Sequence, residues 1–339
     1  MMPCMKSVLC VLMFLASAAA QQLEFASLGD FKLDNGDTLR DCRIGYRTFG
    51  SLNAERSNAV LIPTWAGGTT EQLVSSVAPQ GLVDPSKYYV ILVDALSNGV
   101  SSSPSNSKLQ PRMHFPTITI RDMVNTQHAL LTQHLHISHV RAVMGISMGG
   151  MQTFQWMVGY PDFMDLAIPI VGSPRLAPYD LLLWQLEVDS IESDSGWIHG
   201  DYTENPSRAV QFEIGGLVLS SPERYNSEHK RDDVLPSIRK ALAEPGQDAN
   251  NHIRQAEAMM AHDVSAPFGG SMERAAAAVK AKVLVIVSPE DHTVTPQPAM
   301  EFAKLLHAEL LQVDSPCGHL STACESQRID ERVRNFLAQ

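Results

Sequence analysis

The sequence has few charged residues, few aromatic residues and no excess of positive charge. Of its 339 residues 19% are charged and 6% are aromatic, and 26 Lys and Arg stand against 37 Asp and Glu, giving a net charge of −11. A surface that binds nucleic acid needs a basic footprint, so this balance argues against nucleic acid as a partner. The hydrophobic share of 44% is sufficient for a large core. It excludes a long disordered, collagen-like or coiled-coil chain.

Long apolar runs are also missing, except at the start of the chain. Val8–Ala20 is an apolar run of 13 residues that follows Lys6 and ends in small residues. These features are typical of a secretory signal peptide, whereas a membrane-spanning helix needs about 20 residues. We therefore expect residues 1–20 to be a signal peptide cleaved near Ala20. The mature protein is then exported, periplasmic or secreted, without stable membrane association. An uncleaved anchor is the alternative.

Cysteine is scarce, and neither a C-x-x-C nor an H-E-x-x-H motif occurs. Removal of residues 1–20 leaves Cys42, Cys317 and Cys324. The last two could form a disulfide in an oxidising compartment, but their spacing alone does not decide whether they do. The nearest candidate metal cluster is the histidine-rich tract at 134–139, which follows a predicted helix, where histidines are expected to be exposed. We expect neither a metal nor an organic cofactor.

Strand-like and helix-like segments alternate through most of the chain. Residues 120–135 have a helical pattern, and Thr119 is placed to cap that helix together with Asp122. Near-continuous apolar runs, typical of strands buried on both faces, occur at 58–65, 88–96, 140–145, 165–171, 282–287 and 310–313. This order predicts an α/β fold with a mostly parallel sheet flanked by helices.

The alternation stops between residues 173 and 272. This stretch contains helix-like pieces at 181–191 and 234–243, joined by polar segments rich in Gly, Ser, Asp and Pro. An insertion of this size between two core strands usually forms a lid over a binding site. We therefore expect a core formed by residues 21–172 and 273–339, with a helical cap over 173–272.

One motif indicates the chemistry. Gly145-Ile146-Ser147-Met148-Gly149 follows a predicted strand and precedes a helix-like segment at 151–159. G-x-S-x-G in this context is a nucleophile elbow, a strained turn that exposes the serine hydroxyl above the sheet. Glycines are needed two residues before and two after the serine, because side chains there would collide. The motif predicts that Ser147 is a catalytic nucleophile rather than part of a structural turn.

A serine nucleophile needs a base to take its proton and an acid to orient that base. In this fold the chain order is serine, then acid, then histidine. Asp291 and His319 each follow a predicted strand in that order, so we predict the triad Ser147, Asp291 and His319. Glu290 is the alternative acid and His292 the alternative base.

The oxyanion intermediate of such a triad needs two backbone N–H groups. The residue after the nucleophile, Met148, is expected to supply one. The other is expected from the loop Trp65-Ala66-Gly67-Gly68, which follows an early strand. Ala66 is the favoured donor there. Trp65 is either an alternative donor or an aromatic wall of the pocket, and Gly67 and Gly68 let the backbone approach the substrate.

Beyond the elbow, the sequence resembles the homoserine O-acetyltransferase family of the α/β-hydrolase superfamily. The segments that carry the resemblance are Phe115-Pro116, Thr119-Ile120-Arg121-Asp122-Met123-Val124, Ser147-Met148-Gly149-Gly150-Met151-Gln152 and Tyr160-Pro161, with weaker likeness at 46–53 and 81–90. The resemblance covers roughly residues 25–335 and implies the α/β-hydrolase fold, the triad roles given above and a helical cap. It also implies a cap that is often involved in dimerisation, so a homodimer through the cap is one arrangement that the resemblance offers, while the sequence itself leaves the oligomeric state open.

The departures from this family bear on the reaction. The family's cap arginine, which grips an amino-acid carboxylate, is replaced by Ser190, and the acidic residue after the catalytic histidine is replaced by Leu320. The cap-helix region instead carries four acidic residues that are expected to repel a carboxylate: Glu187, Asp189, Glu192 and Asp194.

An exported enzyme would also lack acetyl-CoA and meet mainly water. The sequence therefore predicts an exported serine hydrolase of ester-like acyl substrates, with a small molecule as its partner and with acyl length and leaving group left open. A homoserine or serine O-acetyltransferase that uses acetyl-CoA is the alternative, and a non-catalytic binding protein on the same fold is a remote one.

Overall fold

The computed structural model describes residues 22–243 and 246–339, so the predicted signal peptide lies outside the described residues. Their strands form a single sheet in the order β1-β2-β4-β3-β5-β6-β7-β8. The strands are β1 Glu24–Lys32, β2 Thr38–Phe49, β3 Ala59–Pro63, β4 Tyr89–Val93, β5 Val140–Ile146, β6 Met164–Ile170, β7 Lys282–Val287 and β8 Glu309–Gln312. Neighbours from β4 to β8 are parallel.

The mostly parallel sheet predicted from the sequence is confirmed. Each predicted strand is present, and at least one of its ends lies within two residues of the predicted end. β1 and β2 were not predicted. They pair antiparallel with each other, and β2 pairs antiparallel with β4. Buried and exposed residues are mixed along both strands, so they lack the continuous apolar runs that mark the other strands.

Helices cover both faces of the sheet. They are α1 Thr70–Leu73, α2 Ile120–Ala129, α3 Met148–Gly159, α4 Pro178–Glu192, α5 Ala209–Val218, α6 Pro222–Glu228, α7 Val234–Ala243, α8 Ala249–Met260, α9 Met272–Ala278, α10 Gln297–Leu305, α11 Ser321–Cys324 and α12 Ser326–Leu337. In β3, Leu61 packs with α2 and α3, whereas Val60 and Ile62 pack with α12 on the other face. The alternation of side chains along a strand thus builds two core layers.

The predicted cap of α2 is also present. The Asp122 N–H donates to Thr119 Oγ1 at 3.0 Å, and the Asp122 carboxylate accepts from the Thr119 N–H at 2.9 Å. These two bonds form a capping box. The helix predicted over 120–135 continues beyond Ala129 as a wider π-helical turn, Leu130–His134.

Residues 173–272, named the cap segment here, contain α4 to α8 between β6 and β7. Side chains of α4 and α8 belong to the same apolar cluster as the sheet, whereas Leu183, Ile214 and Val218 form a small separate cluster. The two ends of the segment meet, because the Val264 N–H donates to the Pro174 carbonyl at 3.0 Å. The function of this segment as a lid stays a prediction.

In the part of the chain that the structure describes, no helix is long and apolar enough to cross a membrane.

Candidate active site

Ser147 lies at the turn between β5 and α3. Its backbone has φ 59° and ψ −121°, a strained conformation for a residue with a side chain. The Ser147 N–H donates to the Ile170 carbonyl at 2.9 Å, which ties the turn to the neighbouring strand β6. The turn therefore has the geometry expected of a nucleophile elbow.

The glycines around Ser147 have a steric cause. A Cβ at Gly145 would lie 2.4 Å from the backbone carbon and oxygen of Gly149, and a Cβ at Gly149 would lie 2.7 Å from the Pro63 carbonyl oxygen. Real side chains do not approach backbone atoms so closely. The predicted collision two residues before and two after the serine is therefore what the structure shows.

Three predicted site residues lie in hydrogen-bonded series. Nε2 of His319 is 2.9 Å from Ser147 Oγ, and Nδ1 of His319 is 2.7 Å from Asp291 Oδ2. A carboxylate only accepts, so Nδ1 carries the proton and Nε2 is left to accept from the serine hydroxyl. All three side chains are buried. The structure thus brings together three residues that are as far as 172 positions apart in sequence.

Backbone groups fix the Asp291 carboxylate. Its second oxygen, Oδ1, accepts from the N–H groups of Thr293 and Val294, each at 2.9 Å. The alternative acid, Glu290, is exposed to solvent. His319, and not the alternative base His292, bonds to the serine.

Gly318, next to His319, has φ +55°, and a Cβ there would lie 2.6 Å from the Glu290 carbonyl oxygen. Only glycine fits this close approach of the two loops.

Two backbone N–H groups remain available beside Ser147. Met148 is the first residue of α3, so its N–H has no acceptor within the helix. In the opposite loop, the Gly67 N–H donates to Gln255 Oε1 at 2.7 Å and the Gly68 N–H donates to the Trp65 carbonyl at 3.0 Å. Among the described residues, the Ala66 N–H makes no such bond. This pattern leaves Met148 and Ala66 as the candidate oxyanion donors.

Two glutamines that the sequence analysis did not single out position this loop. Gln255 of α8 accepts from Gly67 and donates through Nε2 to the Leu96 carbonyl at 3.0 Å. Gln152 of α3 is fully buried and donates to the Thr64 carbonyl at 3.0 Å. Gln152 belongs to the S-M-G-G-M-Q segment, so that motif could have identified it. No sequence signal marks Gln255, because it contacts Gly67 from the cap segment, 188 residues away in sequence.

Above these groups lies a mainly apolar cavity of about 450 Å³, lined by Trp65, Ala66, Ile146, Ser147, Trp184, Leu219, Thr293, His319, Leu320, Thr322 and Ala323. The Trp65 indole covers Gly68, where a Cβ would lie 2.5 Å from Trp65 Nε1. Trp65 is therefore a wall of the cavity, and Gly68 makes room for its ring. None of the lining residues is Arg or Lys.

The loop that carries His319 is closed by a disulfide. Cys317 and Cys324 are joined, with their Cα atoms 6.5 Å apart. The pairing that their spacing left open is therefore present in the structure. Leu320, Thr322 and Ala323 lie inside this disulfide loop and line the cavity. The remaining cysteine, Cys42, is buried, and burial raises the pKa of its thiol to about 12.

The cap segment is bonded to both loops of the site through residues 218–221, named the strap here. The Thr293 hydroxyl donates to the Val218 carbonyl at 3.0 Å, next to the acid loop. In the histidine loop, the Leu320 N–H donates to the Leu219 carbonyl at 3.2 Å, and the Pro316 carbonyl accepts from the Ser221 N–H at 2.9 Å.

The four acidic residues of the cap-helix region do not act as one group. Of the four named in the sequence, only Glu187 is buried. Its Oε2 lies 2.8 Å from Nε2 of His252. Arg208, whose pKa is lowered by burial and raised by nearby Glu187, lies 3.4 Å from the other nitrogen of that histidine. The charge of Glu187 is therefore offset by the nearby Arg208 guanidinium, which the sequence analysis did not anticipate.

Ser190 faces this cluster of the cap. Its hydroxyl donates to the Glu187 carbonyl at 2.7 Å and accepts from the Gln211 amide. The position thus has a structural hydrogen-bond role.

The histidine tract is dispersed. His134 Nε2 lies 3.1 Å from the Tyr46 hydroxyl, and His139 Nε2 lies 3.0 Å from the Asp165 carboxylate. Within residues 22–243 and 246–339, no three His, Cys, Asp or Glu side chains are grouped so that they could hold a metal ion.

Several known proteins are similar in sequence to this chain over nearly its whole length. The sequence pattern of the alpha/beta hydrolase fold family matches residues 60–322. A probable esterase of Corynebacterium glutamicum is 33% identical, over 88% of this chain and 89% of its own length. An ethyl acetate hydrolase of Pseudomonas veronii is 31% identical, over 91% and 92%. A homoserine O-acetyltransferase of Methanococcoides burtonii is 29% identical, over 91% of this chain and 72% of its own.

The fold has a similar solved structure. An acetylester hydrolase of Corynebacterium glutamicum superposes with a TM-score of 0.86 at 29% identity, over 94% of this chain and 96% of that one. The resemblance to homoserine O-acetyltransferases is confirmed by the sequence relatives. The chain therefore belongs to the alpha/beta hydrolase fold family, as an enzyme related both to esterases and to homoserine O-acetyltransferases.

Proposed function

We propose that this protein is an exported serine hydrolase that cleaves small neutral esters through an acyl-serine intermediate. The observation that carries the proposal is the hydrogen-bonded series from Ser147 through His319 to Asp291 beneath an apolar cavity. Export is supported by the apolar run at residues 8–20 and by the disulfide at Cys317 and Cys324, since disulfides persist in oxidising compartments.

In the proposed reaction, the Ser147 hydroxyl attacks the ester carbonyl while His319 Nε2 takes its proton. Asp291 holds the imidazole in the required tautomer and stabilises the imidazolium that forms. The N–H groups of Met148 and Ala66 stabilise the oxyanion. His319 then protonates the leaving alcohol, and the acyl-serine forms. Water, deprotonated by His319, releases the acid and restores the hydroxyl.

The lining of the cavity supports a neutral substrate. It contains Trp65, Trp184, Ile146 and two leucines but neither Arg nor Lys, so a carboxylate-bearing acceptor such as homoserine would find no cation there. An acetylester hydrolase and an ethyl acetate hydrolase among the similar proteins point to small acyl groups.

Acyl transfer is the second candidate, because a homoserine O-acetyltransferase is 29% identical over 91% of this chain. The same acyl-serine would form, and homoserine would replace water as acceptor. A homodimer through the cap stays a prediction in both cases.

The mature protein should hydrolyse 4-nitrophenyl acetate and ethyl acetate. Ser147→Ala should lower kcat by about 10⁴-fold or more, as loss of a triad member does, while the thermal midpoint and circular dichroism stay those of the parent. A fluorophosphonate should label the parent and not the variant. Protein recovered from the medium or periplasm should begin at Gln21.

Two outcomes contradict the proposal. Homoserine-dependent release of CoA from acetyl-CoA that is faster than ester hydrolysis would establish the transferase instead. Absence of both labelling and hydrolysis in a folded protein would point to a binding protein.

A further inference from the structure

The loop Trp65–Gly68, which carries the candidate oxyanion donor Ala66, is held one peptide group after another. Four hydrogen bonds hold it: Gln152 Nε2 to the Thr64 carbonyl at 3.0 Å, the Gly68 N–H to the Trp65 carbonyl at 3.0 Å, the Gly67 N–H to Gln255 Oε1 at 2.7 Å and Asn98 Nδ2 to the Gly68 carbonyl at 2.9 Å. The C=O and N–H of one trans peptide group point in opposite directions. The bond to the Trp65 carbonyl therefore also sets the direction of the Ala66 N–H.

The peptide group between Ala66 and Gly67 is the one that the loop itself does not fix. Gly67 has φ +69°, as at the third position of a type II turn. Type I and type II turns differ mainly by rotation of this central peptide group, and glycine adopts positive and negative φ with similar ease. The orientation of the group therefore depends on the acceptor that its N–H finds, which is Gln255.

The Gln255 amide is itself held at both ends. Its Oε1 accepts from the Gly67 N–H, and its Nε2 donates to the Leu96 carbonyl at 3.0 Å. The side chain is buried. A reversed amide would place its NH₂ group against the Gly67 N–H and its oxygen against the Leu96 carbonyl, so only one orientation satisfies both neighbours. Gln255 is therefore a fixed acceptor for Gly67.

Helix α8, which carries this glutamine, is bonded to several loops of the core although it belongs to the cap segment. Arg254 donates to the Phe115 carbonyl at 2.9 Å. The Ser97 hydroxyl donates to the Asn251 carbonyl at 3.2 Å, and the Asn251 amide donates to the Ser105 hydroxyl at 2.8 Å. These contacts hold α8 in place beside the oxyanion loop.

We propose that Gln255 is a positioning residue for the oxyanion hole. By fixing the peptide group between Ala66 and Gly67, it holds the Ala66 N–H where the oxyanion forms. The cap segment then contributes to the chemical step as well as enclosing the cavity. This inference rests on the proposed hydrolase function. The oxyanion exists in the transition state and not in the bound ester, so the effect belongs to kcat rather than to KM.

The first test is Gln255→Met, which removes both hydrogen bonds at nearly constant volume. Hydrolysis of 4-nitrophenyl acetate is measured per mole of Ser147 that a fluorophosphonate labels, so that inactive protein is not counted. Removal of a whole oxyanion donor costs about 10²–10³-fold in kcat, so its displacement should cost about tenfold to 100-fold. KM should stay close to that of the parent.

A transition-state analogue separates positioning from a merely structural role. Ser147 Oγ adds to the carbonyl of a trifluoromethyl ketone while its proton passes to His319, and the resulting hemiketal oxygen carries the negative charge. The inhibition constant of this ketone should rise in Gln255→Met by the same factor by which kcat/KM falls. A loss of stability alone would lower the thermal midpoint without this proportion.

Asn250→Leu is the matched control on the same helix. Asn250 is also buried, and its amide accepts from Trp197 Nε1 and donates to the Gly200 carbonyl, each at 2.9 Å, within the cap segment. This variant should lower the thermal midpoint about as much as Gln255→Met and keep the kcat of the parent. Gln255→Glu retains an acceptor for the Gly67 N–H, so it should be more active than Gln255→Met, and it replaces that variant if Gln255→Met does not fold.

The inference is wrong if Gln255→Met keeps the parental kcat, or if Gln255→Glu is no more active than Gln255→Met. It is also wrong if Asn250→Leu lowers kcat equally, because the packing of α8 would then explain the loss. The proposed function is judged separately, on the parent protein. A parent that hydrolyses acetate esters and is labelled at Ser147 remains a hydrolase even if Gln255→Met is fully active.

Discussion

The carboxyl edge of the sheet, which carries Ser147, Asp291 and His319, and the outer cap, which is formed by α5 to α7, are built in different ways. At the sheet edge, backbone geometry fixes each side chain of the triad. Ser147 has a strained backbone, two N–H groups hold the Asp291 carboxylate, and His319 follows the close approach at Gly318. In the outer cap, α5 contributes Ile214 and Val218 to a small apolar cluster with Leu183 of α4, and it leaves Phe212 and Leu217 in solvent. The side chains of the candidate site are therefore held by backbone geometry, whereas the packing of the outer cap leaves its exposed side chains free to vary.

The inner cap belongs with the sheet edge in this comparison. Trp184 and Val188 of α4 and Ile253 of α8 lie in the main apolar cluster of the molecule. Gln255 of α8 also fixes the loop that carries Ala66. Changes in α4 or α8 should therefore disturb the site more than changes at exposed positions of α5 to α7.

The largest effect should come from the elbow. Gly145→Ala places a methyl group 2.4 Å from the backbone of Gly149, so either the strand or the helix must move. We expect kcat to fall by at least about 10²-fold, since displacement of a reacting group by about 1 Å has that cost. The free energy of unfolding should fall by about 1–3 kcal/mol. Enzyme kinetics and urea unfolding measure the two effects.

Gly159→Ala, at the other end of α3, is the control for this variant. Its Cβ would contact only Gln155 Nε2, at 3.4 Å, so activity and stability should stay close to the parent. A Gly145→Ala protein with parental kcat would show that the sheet edge tolerates more than its geometry indicates.

The next effect concerns the disulfide loop. Replacing Cys317 and Cys324 together by serine should lower the free energy of unfolding by about 2–3 kcal/mol, because a short loop is no longer closed in the unfolded chain. The freed loop carries His319, so kcat should fall about tenfold, whereas KM for a small ester should change little. Steady-state kinetics and denaturant unfolding measure both.

Dithiothreitol supplies the matched comparison. It should lower the activity of the parent and leave the double variant unchanged, because the only other described cysteine, Cys42, is buried with a raised pKa. If dithiothreitol lowered the activity of both proteins equally, the loss would not come from the disulfide between Cys317 and Cys324.

The smallest effect lies where the cap rejoins the core, at His262. Burial lowers the pKa of His262 from 6.5 to about 4. The unfolded chain therefore binds a proton that the folded chain refuses between these pH values, so the folded state is fully stable above pH 6.5 and loses stability as the pH falls towards 4. The loss should be about 2 kcal/mol at pH 5.

In His262→Gln, the free energy of unfolding should be less dependent on pH over that window, as measured by urea unfolding at a series of pH values. His114→Gln, at an exposed position, is the control and should keep the slope of the parent. An unchanged slope in His262→Gln would place the acid sensitivity in another group.

Much of the sheet edge could be predicted from the sequence because its signals are local. Strands buried on both faces are continuous apolar runs, and the elbow is a contiguous motif. Asp291 and His319 follow strands in the order that the fold requires. β1 and β2 escaped prediction because their buried residues are interspersed with exposed ones.

The cap could not be predicted in the same way. The contacts of Gln255 with Gly67, and of Glu187 with His252, join residues that are far apart in sequence and have no shared pattern. The pairing of Cys317 with Cys324 also needed coordinates, since spacing does not bring two Cα atoms together. Long-range side-chain contacts leave no periodic signal in a single sequence.

The strap has a further consequence for the movement of the cap segment. Its backbone is bonded to both the acid loop and the histidine loop. A movement of the cap segment away from the core would therefore also displace the loops that carry Asp291 and His319. A substitution that breaks these hydrogen bonds should therefore lower turnover by displacing His319 and Asp291.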